Sequence, residues 1–340
     1  TIPCEMCIRD IIFLNVDYSY IELCTLAAIC ESRYGFSVLA DTIREGRDPH
    51  SYTAAFFRGV SYEEFIALKD SANETDRTTY RDWRQKAKSI NFSLPAGWSA
   101  QTLREYAMAN YGMEMSMEEA TEMRDKLVCV YPEIGLFLYD DSILILARKF
   151  HTSKADVWRT LCKGHRPSEK LAAAVRNVIM GRPPVNGIGY GESFGPSVFE
   201  GLKELCSGEN VDIDPVWKQR ITQSDDDMIG SRELYDELFT KDTTTLTGRI
   251  RCKTTFTNSR NTPFSGLAAD GAKQALFNLT NAGYHLICFV HDEIVISLPD
   301  DDKAPQEALN VERICVQSMQ DVCGKVPISV KSAFSRSWTK

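Results

Sequence analysis

The chain has 340 residues, 43% hydrophobic and 25% charged, with 20 Gly and 13 Pro. That is the composition of a folded globular protein, and it excludes a disordered, collagen-like or disulfide-built one. With 39 Lys and Arg against 47 Asp and Glu the net charge is −8, which excludes a protein that coats nucleic acid by bulk charge but not an enzyme with a basic groove and acidic metal ligands.

At roughly 150 residues per domain the length predicts two domains, or one large domain with an insertion. No apolar run reaches the roughly 18–20 residues that span a bilayer, so no membrane partner is expected. No signal-peptide pattern opens the chain, and Thr1 reads as a trimmed end. The 11 cysteines are odd in number and scattered. Cys24, Cys30, Cys129, Cys288 and Cys315 lie in apolar segments and read as reduced core thiols of a cytoplasmic-type compartment. Cys4 and Cys7 form a close pair without a second pair at zinc spacing.

Residues 11–16 are a short β-branched apolar run that reads as a buried strand. Helical spacing follows over 20–30, 37–45, 50–58, 62–70, 77–92, 100–111 and 116–128. The last opens on Ser116-x-x-Glu119, a capping-box pattern. Between about Tyr139 and Phe239 the character changes: helices at 154–163 and 168–180 are followed by a polar stretch bearing Gly and Pro, and the region reads as an insertion or subdomain. Its His151, Cys162 and His165 fit no common metal spacing. A strand pair is expected near 245–255, then a long helix over 264–281. Two apolar strands follow, HLICFV and EIVISL, joined by the charged tip His291-Asp292. A helix over 302–323 and a strand over 326–330 close the chain. The short acidic runs 225–227 and 300–302 read as solvated loops.

Three local patterns carry chemistry. Asp17 ends a strand in Asp17-Tyr18-Ser19-Tyr20-Ile21-Glu22-Leu23, where a carboxylate is well placed to hold a metal; by itself it also reads as a helix N-cap. His291-Asp292-Glu293 caps the apolar hairpin; by itself it also reads as a solvated turn. Arg84, Lys88 and Phe92 recur every four residues, hence on one helix face, and read either as a site for phosphates and a stacked base or as a solvated basic face. Taken together they are more specific. Two carboxylates, Asp17 and Asp292, on neighbouring strands of one sheet can hold two Mg²⁺ ions for phosphoryl or nucleotidyl transfer. The Arg84/Lys88 helix supplies cations for a triphosphate, and His50 in Asp48-Pro49-His50 adds a donor.

In this order the patterns resemble the palm and fingers of the family A (DNA polymerase I-like) DNA polymerases. The stretch from Asp17 to Leu23 resembles the family's first motif, Arg84 to Phe92 the second, and Val290-His291-Asp292-Glu293 the third. Thr247-Gly248-Arg249 and Asn261 to Asp270 resemble the stretch that touches primer and template. Pro95-Ala96-Gly97 and Gly266 to Lys273 look most like the phage and prophage branch. The similarity covers roughly 5–140 and 243–340.

The resemblance implies an α+β fold: a palm of antiparallel sheet with packed helices, helical fingers and a mostly helical insertion. Its boundaries would be 1–60 palm, 61–140 fingers, 141–240 insertion and 241–340 palm. Asp17 and Asp292, with the backbone carbonyl of Tyr18, would bind two Mg²⁺; Glu293 would support catalysis. Arg84, Lys88 and His50 would hold the dNTP, Phe92 would pack on its sugar and base, and Glu22 would exclude ribonucleotides. Arg249, Asn261, Ser265 and His291 would line the primer–template DNA. The chain departs from the common family pattern at Tyr20, Cys24, Ser93, Ala96 and Ser265; Ala96 removes the aromatic that usually backs the sugar gate. No departure touches Asp17, Asp292, Arg84 or Lys88.

Only about a dozen residues precede the first-motif strand, so no thumb is expected in this chain. A second polypeptide would then carry thumb and exonuclease, in the cytoplasm of a bacterial host if the chain is phage-encoded. Competing readings are a single-subunit RNA polymerase or primase, which Glu22 opposes, and a non-catalytic accessory subunit.

Overall fold

The computed structural model describes residues 11–98, 100–138, 219, 241–254 and 256–337. In chain order its elements are β1 (Ile11–Tyr18), α1 (Ile21–Tyr34), α2 (Val38–Arg44), α3 (Pro49–Arg58), α4 (Tyr62–Ala67), α5 (Glu74–Ser93), α6 (Ala100–Tyr111) and α7 (Met117–Val130). After these come β2 (Lys241–Thr244), β3 (Ile250–Thr254), α8 (Phe256–Asn281), β4 (His285–Val290), β5 (Glu293–Pro299), α9 (Ala304–Cys323) and β6 (Val330–Ser335). The chain forms two compact units. The first comprises Thr1–Ile29, Thr244–Arg249 and Pro263–Lys340, the second Cys30–Thr243 and Ile250–Thr262. This mixture of helices with an antiparallel sheet is the α+β class the sequence implies.

The first unit is built on a four-stranded sheet in the order β4-β5-β1-β6, antiparallel at each pairing. Period-two alternation explains β1: Leu14, Val16 and Tyr18 are buried while Asp17 is exposed. On β5, Ile294, Val295, Ile296 and Leu298 are all buried. Helix α9 presents Ala308, Val311, Cys315, Met319 and Cys323 at three- to four-residue spacing as its buried stripe. The Tyr18 hydroxyl donates to the Cys315 carbonyl at 3.0 Å, tying β1 to α9. Burying each Leu, Ile or Val of this core contributes about 1.5–3 kcal/mol.

The second unit is helical, and its helices start where short polar side chains cap them. Ser37 accepts from the Ala40 amide, Asp48 from Ser51, and Asn73 from Thr75. Ser116 and Glu119 complete both bonds of the expected capping box on α7. Ala54 and Ala55 of α3 and Ala87 of α5 form a buried core with Phe65, against which Val60, Leu68, Tyr80 and Trp83 pack.

Several expectations need correction. Helix α8 begins at Phe256, eight residues before the expected start, and runs through Pro263. Ser259, Arg260 and Thr262 on that early stretch are buried, so packing outweighs the one hydrogen bond the proline removes. The last strand runs from 330 to 335 rather than from 326 to 330. Val326 and Ile328 are buried, but Pro327 between them has no N–H for a ladder. The β2–β3 pair lies over 241–244 and 250–254, so its first strand precedes the expected 245–255 and its turn takes the first half of that range. Cys129 and Cys288 are half-buried rather than core, while Cys24, Cys30 and Cys315 are buried free thiols. The insertion apart from Gln219, its two expected helices, His151, Cys162, His165, the acidic run 225–227 and the Cys4/Cys7 pair lie outside the described residues.

Candidate functional site

The site of the first unit assembles at one end of its sheet. Asp17 stands opposite Glu293 on one side and Lys331 on the other. Just beyond Glu293, His291 and Asp292 form the two-residue tip of the β4–β5 hairpin. His291 adopts φ +58°, a left-handed backbone that tight hairpin tips require and that a non-glycine residue adopts at some strain. Two main-chain bonds clamp the end of β1: Tyr18 N–H donates to the Asp292 carbonyl at 3.2 Å, and Ser19 N–H to the Ser329 carbonyl at 3.0 Å. The carboxyls of Asp17 and Asp292 are thereby brought close enough for their charges to act on one another. The Tyr18 side chain is committed to the core, so only its main chain lies beside the carboxylates.

The electrostatics register this crowding. Asp17 as a residue is exposed, yet its carboxyl is held above the usual aspartate range. Partial burial is the first cause and the like charges of Asp292 and Glu293 follow, with Lys331 acting in the opposite sense. A carboxylate pair that repels itself is a donor set a divalent cation would satisfy. Among the described residues no group of three or more His, Cys, Asp or Glu is disposed to hold a metal.

Elsewhere in the same unit, Glu22 in the first turn of α1 accepts a 2.6 Å hydrogen bond from the Ser265 hydroxyl on α8. Thr25 Oγ1 donates to the Phe264 carbonyl at 2.9 Å and holds the two helices together there. The Thr247-Gly248-Arg249 turn, with Gly248 at φ +87°, is pinned to α8 through Asp270. The Asp270 carboxylate pairs with Arg249 and accepts from the Thr247 and Thr245 hydroxyls.

The second unit carries the cationic stripe. Arg84, Lys88 and Phe92 lie along α5, each half-buried, beside the buried Ala87, Ser89, Ile90 and Asn91. Arg84 is ion-paired with Asp48, Nε to carboxylate 2.7 Å. His50 is buried (3% exposed) at the start of α3. Its ring lies 5.4 Å from that of Phe92, and Asn91 Nδ2 meets its Nδ1 at 3.1 Å. With the amide donating, Nδ1 accepts and Nε2 keeps the proton. Burial, together with Arg84 and Lys88, lowers the imidazole to about 4 against the pull of Asp48. His50 is therefore a neutral donor at neutral pH, not a third cation.

The structure thus gathers Asp17, Tyr18, Asp292, Glu293 and His291 at one sheet end and Arg84, Lys88, His50 and Phe92 around one helix. The two groups belong to different units. Asn261 is half-buried on α8, in the part of that helix assigned to the second unit. Three residues were not singled out from sequence: Lys331 beside Asp17, Asp48 on Arg84 and Asp270 on Arg249. Each is an ordinary charged residue whose meaning arises from a register or packing partner far along the chain. Asp48 alone carried a signal, as the cap preceding Pro49.

No family model matches the chain. It is 25% identical over 334 residues to a DNA polymerase I of Aquifex aeolicus (strain VF5), an alignment covering 96% of this chain and 39% of that protein. The chain therefore spans about two fifths of the length of the curated relative it matches. Among solved structures it is similar to the POL domain of Pol1 from M. smegmatis in complex with DNA primer-template and dNTP. That likeness has a TM-score of 0.48 and 15% identity, covering 96% of this chain and 40% of the other.

Proposed function

We propose that this chain, similar over 96% of its length to a DNA polymerase I, is the catalytic palm-and-fingers part of a template-directed DNA polymerase. The observation that carries the reading is the pairing of Asp17 with Asp292. These carboxylates come from chain segments far apart in sequence and are held at one sheet end by the Tyr18–Asp292 main-chain bond.

In this reading Asp17 and Asp292, with the Tyr18 carbonyl, hold Mg²⁺. When bound, the metal neutralises phosphate charge and lowers the proton affinity of the primer 3′-hydroxyl. Arg84 and Lys88 bind the triphosphate oxygens as a fork and a point charge. His50 donates from Nε2 without adding charge, and Phe92 packs on sugar and base. Glu22, fixed by Ser265, fills the space a ribose 2′-hydroxyl needs and leaves that hydroxyl without a partner. Arg249, Asn261 and His291 contact the duplex through phosphate, sugar and minor-groove edges, contacts suited to an enzyme that accepts any sequence.

Primer extension by the purified chain, with Mg²⁺ and either dNTPs or NTPs, tests this. The expected result is dNTP-selective, template-directed extension that Asp17→Ala and Asp292→Ala each abolish while primer–template binding survives. Extension with NTPs alone overturns the DNA assignment, and extension unaffected by either substitution overturns the site. The second polypeptide expected to carry thumb and exonuclease is tested by copurification from the native source.

A further inference from the structure

We propose that Asp48 is a positioning residue for Arg84: its carboxylate orients the guanidinium so that the edge it does not engage is presented as a fixed fork to the oxyanions of a bound triphosphate. The inference rests on the reading of Arg84 as a triphosphate ligand. Asp48 accepts from Arg84 Nε at 2.7 Å and from Nη2 at 3.3 Å. A guanidinium has five N–H donors in one plane, so this side-on grip uses two and leaves three for a ligand.

Asp48 is itself held from several directions. Its carboxylate accepts from the Ser51 amide at 3.0 Å and the Ser51 hydroxyl at 2.6 Å. Its own N–H donates to the Tyr62 hydroxyl at 3.0 Å. The Ser51 hydroxyl in turn meets the Tyr80 hydroxyl at 3.1 Å. The anchor thus draws on α3, α4 and α5, and a long arginine side chain on an otherwise solvated helix face acquires one orientation. Burial would push the Asp48 carboxyl up; the hydrogen bond and charge of Arg84, with the hydrogen bond from Ser51, hold it below the usual range. It is therefore ionised whenever the enzyme works. Fixing a fork before the ligand arrives removes an ordering loss from binding.

The sign of the effect separates this role from simple electrostatics. Deleting a negative charge near a polyanion site should tighten triphosphate binding by Coulomb's law alone. Deleting a positioner should weaken it. Asp48→Asn is suited to the test because Asn caps a helix as well as Asp does; Asp48→Ser, another good cap without a carboxylate, is the second variant should the first lose thermal stability.

The experiment measures dNTP KM and kcat in primer extension, and calorimetric binding of inorganic triphosphate with Mg²⁺ to the full chain. The expected result is a KM and a triphosphate Kd raised about 5- to 30-fold, with kcat within about twofold. On an Arg84→Lys background, where no fork exists to orient, Asp48→Asn should change either constant by less than about twofold. Unchanged or tighter binding in Asp48→Asn overturns the inference, and so does an equal loss on the Arg84→Lys background. Failure of the polymerase reading shows separately, as absence of extension by the wild-type chain. Absence of triphosphate binding by the wild-type chain overturns the inference as well.

Discussion

Asp17 and Asp292 repel one another in the absence of a cation, and the fold holds them together regardless. A carboxyl whose folded value is raised disfavours the folded state wherever it is ionised, which includes neutral pH. Asp17→Asn should therefore raise the thermal midpoint in metal-free buffer while lowering incorporation by about 10³-fold or more. Mg²⁺ should raise the midpoint of the wild-type chain and leave that of the variant unmoved. Scanning calorimetry with and without Mg²⁺ checks both; a variant that melts earlier in EDTA contradicts the electrostatic account. A second buried carboxyl gives a pH signature independent of the site. Glu133 is fully buried next to the start of α2, accepting from the Leu39 N–H and the Ser37 hydroxyl through one oxygen while the other has no partner. Burial raises it to about 7. Its contribution to stability is fully present below the unfolded value near 4.5 and is lost as pH rises to about 7, an effect on the order of 3 kcal/mol. Glu133→Gln should flatten the denaturation midpoint across that window; an unchanged pH profile means that Glu133 is not the group responsible. The paired aspartates Asp17 and Asp292 were legible as candidates because each sits in a distinctive local string. Glu133 was not, since nothing in YPEIG separates a buried glutamate from a surface one.

Among the elements, the β4–β5 hairpin was the most legible. Two unbroken apolar runs with two polar residues between them admit few other structures, and the observed tip is His291-Asp292. Helix α8 was less so, because proline is read as a boundary when only local rules are available, whereas the buried Ser259 and Arg260 keep the helix going. The same helix contains a glycine whose role is visible only in the packing. A Cβ on Gly271 would collide with Met319 Sδ and lie 2.9 Å from a Val322 methyl of α9. Met319 is fully buried, so the thioether has little room to retreat. Gly271→Ala should lower stability by about 1–2 kcal/mol despite the better helix propensity of alanine, measured as a lower denaturant midpoint. A gain in stability would mean that α8 and α9 are less tightly apposed than described.

At the level of the whole chain, a net charge of −8 coexists with a proposed grip on a polyanion. Binding must then come from local cations and should be strongly ionic. Between 50 and 200 mM salt the affinity for a primer–template duplex should fall about 10- to 100-fold, measured by fluorescence anisotropy. An affinity insensitive to salt contradicts the proposed duplex contacts. The division into two units was not readable as such from sequence, because the chain crosses between them within α1 and again within α8, where helical periodicity continues unbroken. The paired aspartates add a temporal consequence. β1 finds β5 only after some 275 further residues have been synthesised, so the loop that must close is very long. No growing chain that stops short of the hairpin owns both carboxylates. Any activity that depends on the pair is therefore withheld until the hairpin itself has been synthesised.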